Sequence, residues 1–93
     1  MKAVLRPRAR ADVVAAVEHY RATSEDLVDD FIVDLDRVLA RLSEFPRSAQ
    51  PVQGYPGVRR ALLRRFPFAL FYILDEDALL VLRVRHTSRS ART

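Results

Sequence analysis

The sequence predicts an α+β domain: an N-terminal strand, an antiparallel helix pair, then a three-stranded antiparallel meander, with the helices packed on one face of the sheet. Three observations predict it. Residues 58–85 hold short apolar runs rich in β-branched and aromatic residues, broken at Pro67 and at an acidic turn, Asp75-Glu76-Asp77. Two stretches upstream carry apolar residues at helical spacing. The break between those stretches, residues 22–24, is short enough to make the helices antiparallel neighbours. At 93 residues the chain is expected to be one small domain, 1–93.

The elements follow in order. Residues 1–6 form a short extended segment, with Ala3 and Leu5 on one side and Val4 on the other. Pro7 suits the first position of a helix, where its missing N–H costs nothing. Ala9, Val13, Val14, Val17 and Tyr20 then recur at helical spacing, while Arg8, Arg10, Asp12, Glu18 and Arg21 fall largely outside that stripe. Thr23 and Asp26 have the spacing of a capping box. Glu25, Asp26, Asp29 and Asp30 load the first turns of the second helix with the negative charge its dipole favours; Arg37 and Arg41 lie late. The apolar stripe of this helix runs Leu27, Val28, Phe31, Leu35, Val38, Leu39 and Leu42, and Pro46 disfavours helix at Phe45 and sets its end. At roughly 20 residues it is about 30 Å long. Residues 46–57, with three of the five prolines and both glycines, form the one long loop.

The strands are predicted at 58–65, 68–74 and 78–85. With 75–77 as the hairpin loop, Leu74 faces Ala78, Tyr72 faces Leu80, Leu70 faces Leu82 and Phe68 faces Val84. Antiparallel order then gathers Arg64, Arg65, Arg83, Arg85 and His86 at one end of the sheet. By alternation Leu80, Leu82 and Val84 share the core face, with His86. Leu79, Val81, Arg83 and Arg85 share the other, half apolar and half basic. The strand 68–74 is apolar on both sides, so Phe71 and Ile73, with Leu79 and Val81, face water unless the long loop covers them. The segment after His86 has no apolar residue larger than alanine and is expected to be loosely held.

Composition narrows the function. Nearly half the residues are apolar and 30% are charged, which fits a folded globular chain, not a disordered one. The absence of cysteine excludes disulfides and thiolate metal sites, and two histidines alone make a transition-metal site unexpected. No cofactor is expected. No apolar run approaches the roughly 20 residues that span a bilayer, and the N-terminus lacks a signal peptide's apolar core, so a cytoplasmic location without membrane contact is expected. Net charge is +4, divided as −2 over residues 1–45 and +6 over 46–93. The sheet half is the basic half, which favours an anionic partner.

Several blocks resemble the RelE/ParE toxin superfamily: Pro7-Arg8-Ala9-Arg10-Ala11-Asp12 opening a helix; Val58-Arg59-Arg60; Arg65-Phe66-Pro67-Phe68-Ala69-Leu70-Phe71-Tyr72; and Val81-Leu82-Arg83-Val84-Arg85-His86 followed by Arg89. The resemblance covers nearly the whole chain, and its middle block is the specific part. It implies the toxin of a type II toxin–antitoxin pair, neutralised by a cognate antitoxin that wraps it with a helix and an extended segment. The middle block and the His with a following Arg are more similar to the ParE branch, which implies DNA gyrase as target, acting by protein contact. The RelE branch implies a ribosome-dependent mRNA endoribonuclease. A module that retains antitoxin binding without toxicity is the third alternative. No sequence-specific DNA binding is expected.

For hydrolysis, RNA cleavage needs a base, an acid and cations for the phosphate. His86 could be the base or the acid, since imidazole's reference pKa is near neutral, and Arg65, Arg83 and Arg85 could clamp a phosphate. The acids, Glu44 and Glu76 among them, are expected far from that sheet end. Tyr72 is expected to pack. For a toxin acting by contact, no residue is catalytic: Arg64, Arg65, His86 and Arg89 are the expected target contacts. Phe71, Ile73, Val81, Arg83 and Arg85 are the expected antitoxin contacts.

Overall fold

The computed structural model describes residues 1–88. Its elements are β1 (Lys2–Leu5), α1 (Pro7–Arg21), α2 (Glu25–Glu44), β2 (Gln50–Pro51), β3 (Arg59–Leu62), β4 (Phe68–Asp75) and β5 (Ala78–His86). One five-stranded sheet has the order β1-β5-β4-β3-β2. β1 runs parallel to β5, and every other neighbouring pair is antiparallel. The predicted helix pair and meander are therefore present, with β2 added. That strand is a two-residue edge inside the long loop, where Pro51 can sit because no further strand needs its N–H.

α2 is capped by Ser24, not by Thr23. The Ser24 hydroxyl accepts the N–H of Asp26 at 2.9 Å and of Leu27 at 3.3 Å. The cap is the extended residue directly before the first helical one, and that residue is Ser24. On α1 the buried positions are Ala9 and Ala16, while Val14 is 51% exposed and lies off the stripe the sequence predicts.

The β4–β5 hairpin departs from the expected register. Its loop has two residues, Glu76 and Asp77, with Glu76 at φ 53, and Asp75 pairs with Ala78. Leu74 therefore meets Leu79, Ile73 meets Leu80 and Tyr72 meets Val81. The next pair is Phe71 with Arg83, which leaves Leu82 as an extra residue, a β-bulge. Beyond it Leu70 meets Val84, Ala69 meets Arg85 and Phe68 meets His86. Leu79, Val81 and Val84 all face the helices, at 0%, 0% and 2% exposure. Leu80 and Leu82 take the open face instead. The expected surface positions of Leu79 and Val81 are thus corrected: both are core.

The core lies between the helices and the helix-facing side of the sheet. Phe31 of α2 meets Phe66 and Phe68 edge-on, at 5.5 and 5.3 Å between centroids, and Tyr20 of α1 meets Phe66 at 4.9 Å. Tyr72 is fully buried, and its hydroxyl donates to the Pro46 carbonyl at 2.6 Å, tying the middle of the sheet to the end of α2. Burial raises its pKa. Its role is packing, as expected.

The bulge makes adjacent leucines a test of face. Leu79→Ala should cost about 2–5 kcal/mol in urea denaturation, as for a fully buried leucine. Leu80→Ala, on the half-buried open face, should cost well under half of that. The reverse ranking would overturn the register. For the cap, Ser24→Ala should cost about 1 kcal/mol and Thr23→Ala a few tenths.

Candidate functional site

Two aspartates on the inner faces of the helices organise the sheet end that the sequence marks as basic. Asp34 lies among Phe31, Leu35 and Val38 on the buried face of α2 and is 3% exposed. Its carboxylate accepts three successive backbone N–H groups, from Arg64 at 3.0 Å, Arg65 at 2.8 Å and Phe66 at 3.0 Å. Burial alone pushes this carboxyl up, but the three N–H donors and the charge of Arg65 outweigh it and hold it below the usual carboxylate range. The β3–β4 connection is thereby fixed, with the Arg64 and Arg65 side chains exposed on it. Arg65 also lies 3.7 Å from Asp30, an exposed pair that contributes little.

Asp12 does the corresponding work on α1. β1 stops pairing at Leu5 opposite Val81, so the outer edge of β5 beyond that point has no neighbouring strand. Asp12 accepts the Val84 N–H at 2.9 Å, Arg83 Nε at 2.8 Å and Arg83 Nη2 at 3.0 Å. A two-pronged guanidinium–carboxylate contact of this kind is both strong and orienting. Burial raises the Asp12 pKa, and the Arg83 and Val84 hydrogen bonds with the nearby charges of Arg83 and Arg85 reverse the sign, leaving it lowered. The hydrogen bonds that Arg83 donates to Asp12 raise the Arg83 pKa in turn.

The five predicted basic residues share one end of the sheet, but the structure divides them. Arg64 and Arg65 stand beside α2. Arg83, Arg85 and His86 stand beside α1, where a cleft of about 300 Å³ is lined by Asp12, His19, Arg85 and His86 over Ala16, Phe68 and Val84. The His86 ring meets Phe68 edge-on at 5.3 Å, and its Nδ1 accepts the Ser88 N–H at 3.2 Å. His86 faces the helices with Val84, opposite Arg83 and Arg85, as alternation predicts. The segment expected to be loose after His86 is corrected at its start, where Thr87 donates its N–H to the Pro67 carbonyl at 2.8 Å; from Arg89 on it lies outside the described residues.

The expectation that acids lie far from this end is corrected, because Asp12, Asp30 and Asp34 are all there. A signal existed in the sequence. Asp34 falls three residues after Phe31 and four before Val38, and Asp12 falls three after Ala9 and four before Ala16. Asp34 is an acid inside a buried stripe, and Asp12, expected outside its stripe, sits instead between the buried Ala9 and Ala16, so each requires a partner.

On the open face, Phe71 and Ile73 are half-buried, with Leu80 and Leu82 beside them on β5. A row of paired residues crosses that face: Gln50, Arg60, Phe71, Arg83. Beside the row runs a groove of about 340 Å³ lined by Val52, Tyr55 and Val58 of the long loop and by Phe71, Leu82, Arg83 and Arg85. The loop thus flanks the apolar face and leaves a channel along it. Val81 takes no part in this surface.

A family model described as the ParE toxin of type II toxin–antitoxin system, parDE, matches residues 3–91. A solved structure described as the chromosomal ParDE TA system from P. aeruginosa is similar in fold, with a TM-score of 0.81 at 22% sequence identity, covering 95% of this chain and 97% of that one. No curated protein matches the sequence.

Buried Asp34 and half-buried Asp12 set the acid limb of stability. A carboxyl whose pKa is depressed by folding contributes stability above its unfolded value, about 3.9, and loses it as pH falls through the folded value. Asp34→Asn should destabilise the chain by about 1–3 kcal/mol at pH 7, since Asn has one acceptor oxygen for three donors. The deficit should shrink as pH falls below the unfolded value and through the lowered folded one, where wild-type Asp34 takes up a proton. Chemical denaturation at several pH values measures it; a deficit independent of pH would contradict the assignment.

Proposed function

The chain belongs to the ParE toxin family of type II toxin–antitoxin systems, and from that premise we propose that it inhibits DNA gyrase by protein contact until a cognate antitoxin binds it. Membership implies the antitoxin partner. The family match over residues 3–91 carries the reading. The local chemistry supports contact over hydrolysis. Arg83, the central cation of a phosphate clamp, is engaged by Asp12 through both prongs of its guanidinium. His86 is oriented by Phe68 and already accepts the Ser88 N–H at Nδ1.

The target contacts are Arg64 and Arg65, presented on a loop whose backbone is held by Asp34, with His86 at the end of β5 and Arg89 three residues later in the sequence. Preorganised, exposed arginines suit an anionic protein surface, where they set orientation and encounter rate. The antitoxin contacts are Phe71 and Ile73 on the open face, with Arg83 and Arg85 at its rim. No helix among the described residues is long and apolar enough to cross a membrane.

Purified chain at micromolar concentration should inhibit gyrase supercoiling or trap cleaved DNA, and no effect would sink the proposal. Arg64→Ala with Arg65→Ala should weaken inhibition by about tenfold or more while leaving the melting temperature near wild type. Mapping mRNA ends after induction should show no new cuts in translated regions; such cuts would establish the endoribonuclease instead. Unimpeded growth on induction without antitoxin would leave an antitoxin-binding module without toxicity.

A further inference from the structure

The loop segment 52–58 is a closed double turn. Val52 N–H donates to the Val58 carbonyl at 2.9 Å and closes the base. Tyr55 N–H donates to Val52 at 3.2 Å, and Val58 N–H donates to Tyr55 at 3.0 Å, so two β-turns share Tyr55. Gly54 and Gly57 occupy the third position of each turn at φ 86 and φ 83, and Pro56 occupies the second position of the later one. This is the type II pattern, with proline and glycine where that turn demands them. The turn is therefore preorganised by its own backbone.

Its product is an aromatic side chain held out from the fold. Tyr55 is 65% exposed, yet it lines the groove against Phe71 and Leu82. A rigid aromatic beside an apolar channel is the type of residue that dominates binding energy at protein interfaces. Arg85 is the cation on this groove that Asp12 does not already pair, with Arg60 beside Phe71, and among the described residues no acidic side chain lines it. Its complement is a segment with a large apolar side chain flanked by carboxylates.

We propose that Tyr55, held by the double turn, is a specificity-determining anchor for the antitoxin. The antitoxin places an acidic, apolar-centred segment in the groove between the turn and β5. The inference rests on the toxin–antitoxin reading above and extends it to a wall of the site that the sheet itself does not supply. The turn lies in a loop, where sequence can change without touching the core, so it can tune partner choice independently of fold stability.

The test uses the protein encoded by the reading frame adjacent to this chain's own, with affinity measured by titration calorimetry. Tyr55→Ala should bind at least about tenfold more weakly and melt like wild type, because the ring is mostly outside the core. Tyr55→Phe should stay within a few-fold of wild type. Gly57→Ala, which keeps Tyr55 but strains the turn, should also bind more weakly. Tyr55→Ala binding like wild type overturns the inference. So does a Tyr55→Ala effect confined to gyrase inhibition or to self-association of the chain, which would assign the groove to another occupant. If the wild-type chain does not bind that protein at all, the toxin–antitoxin reading fails first, and this inference with it.

Discussion

The extra residue at Leu82 decides what the sheet can be. β5 carries Leu79 and Val81 into the core, and without a change of parity Arg83 and Arg85 would follow them. Two guanidinium groups in an apolar layer would cost far more than that layer gains from its leucines. The bulge between the pairs Tyr72–Val81 and Phe71–Arg83 reverses the alternation once. Val84 and His86 then return to the helix side, and the arginines emerge on the open face. A single strand thus supplies the core along its whole length and a basic surface at one end.

That end needs further support, because β1 is too short to cover it. The helices provide it through carboxylates instead of a strand. Asp12 satisfies the Val84 N–H beyond the end of β1 and holds Arg83 in the same grip. Asp34 collects the three N–H groups of the β3–β4 connection. Both acids are part of helix faces that are otherwise apolar, and both are stabilised as anions by the donors they meet. The helix layer and the sheet are therefore joined by directed hydrogen bonds at the basic end, while the aromatic cluster around Phe31 packs the interior between them.

The two faces of the sheet serve different purposes. The helix-facing side is filled and gives the fold its stability. The open side keeps Phe71, Ile73, Leu80 and Leu82 half-buried, with arginines at the rim and the double turn of the long loop along one wall. For a member of a toxin–antitoxin family this division is physically sensible. On the proposed reading an antitoxin engages the open face without disturbing the core, while the loop-borne Arg64 and Arg65 stand on separate, Asp34-held ground.

From residue order alone the α+β class, the helix pair, the long loop and the strands of the meander were legible, because apolar periodicity and Pro/Gly punctuation are local properties. The collection of Arg64, Arg65, Arg83, Arg85 and His86 at one end was legible too, since antiparallel order suffices for it. The faces of Leu79 to Leu82 were not, because a two-residue hairpin loop and a bulge differ from their alternatives by one residue, and each such step exchanges the two faces. The short strand β2 and the grip of Asp12 on β5 also escaped a linear reading. They depend on which backbone groups lack partners after the sheet assembles, and unsatisfied edges exist only in three dimensions.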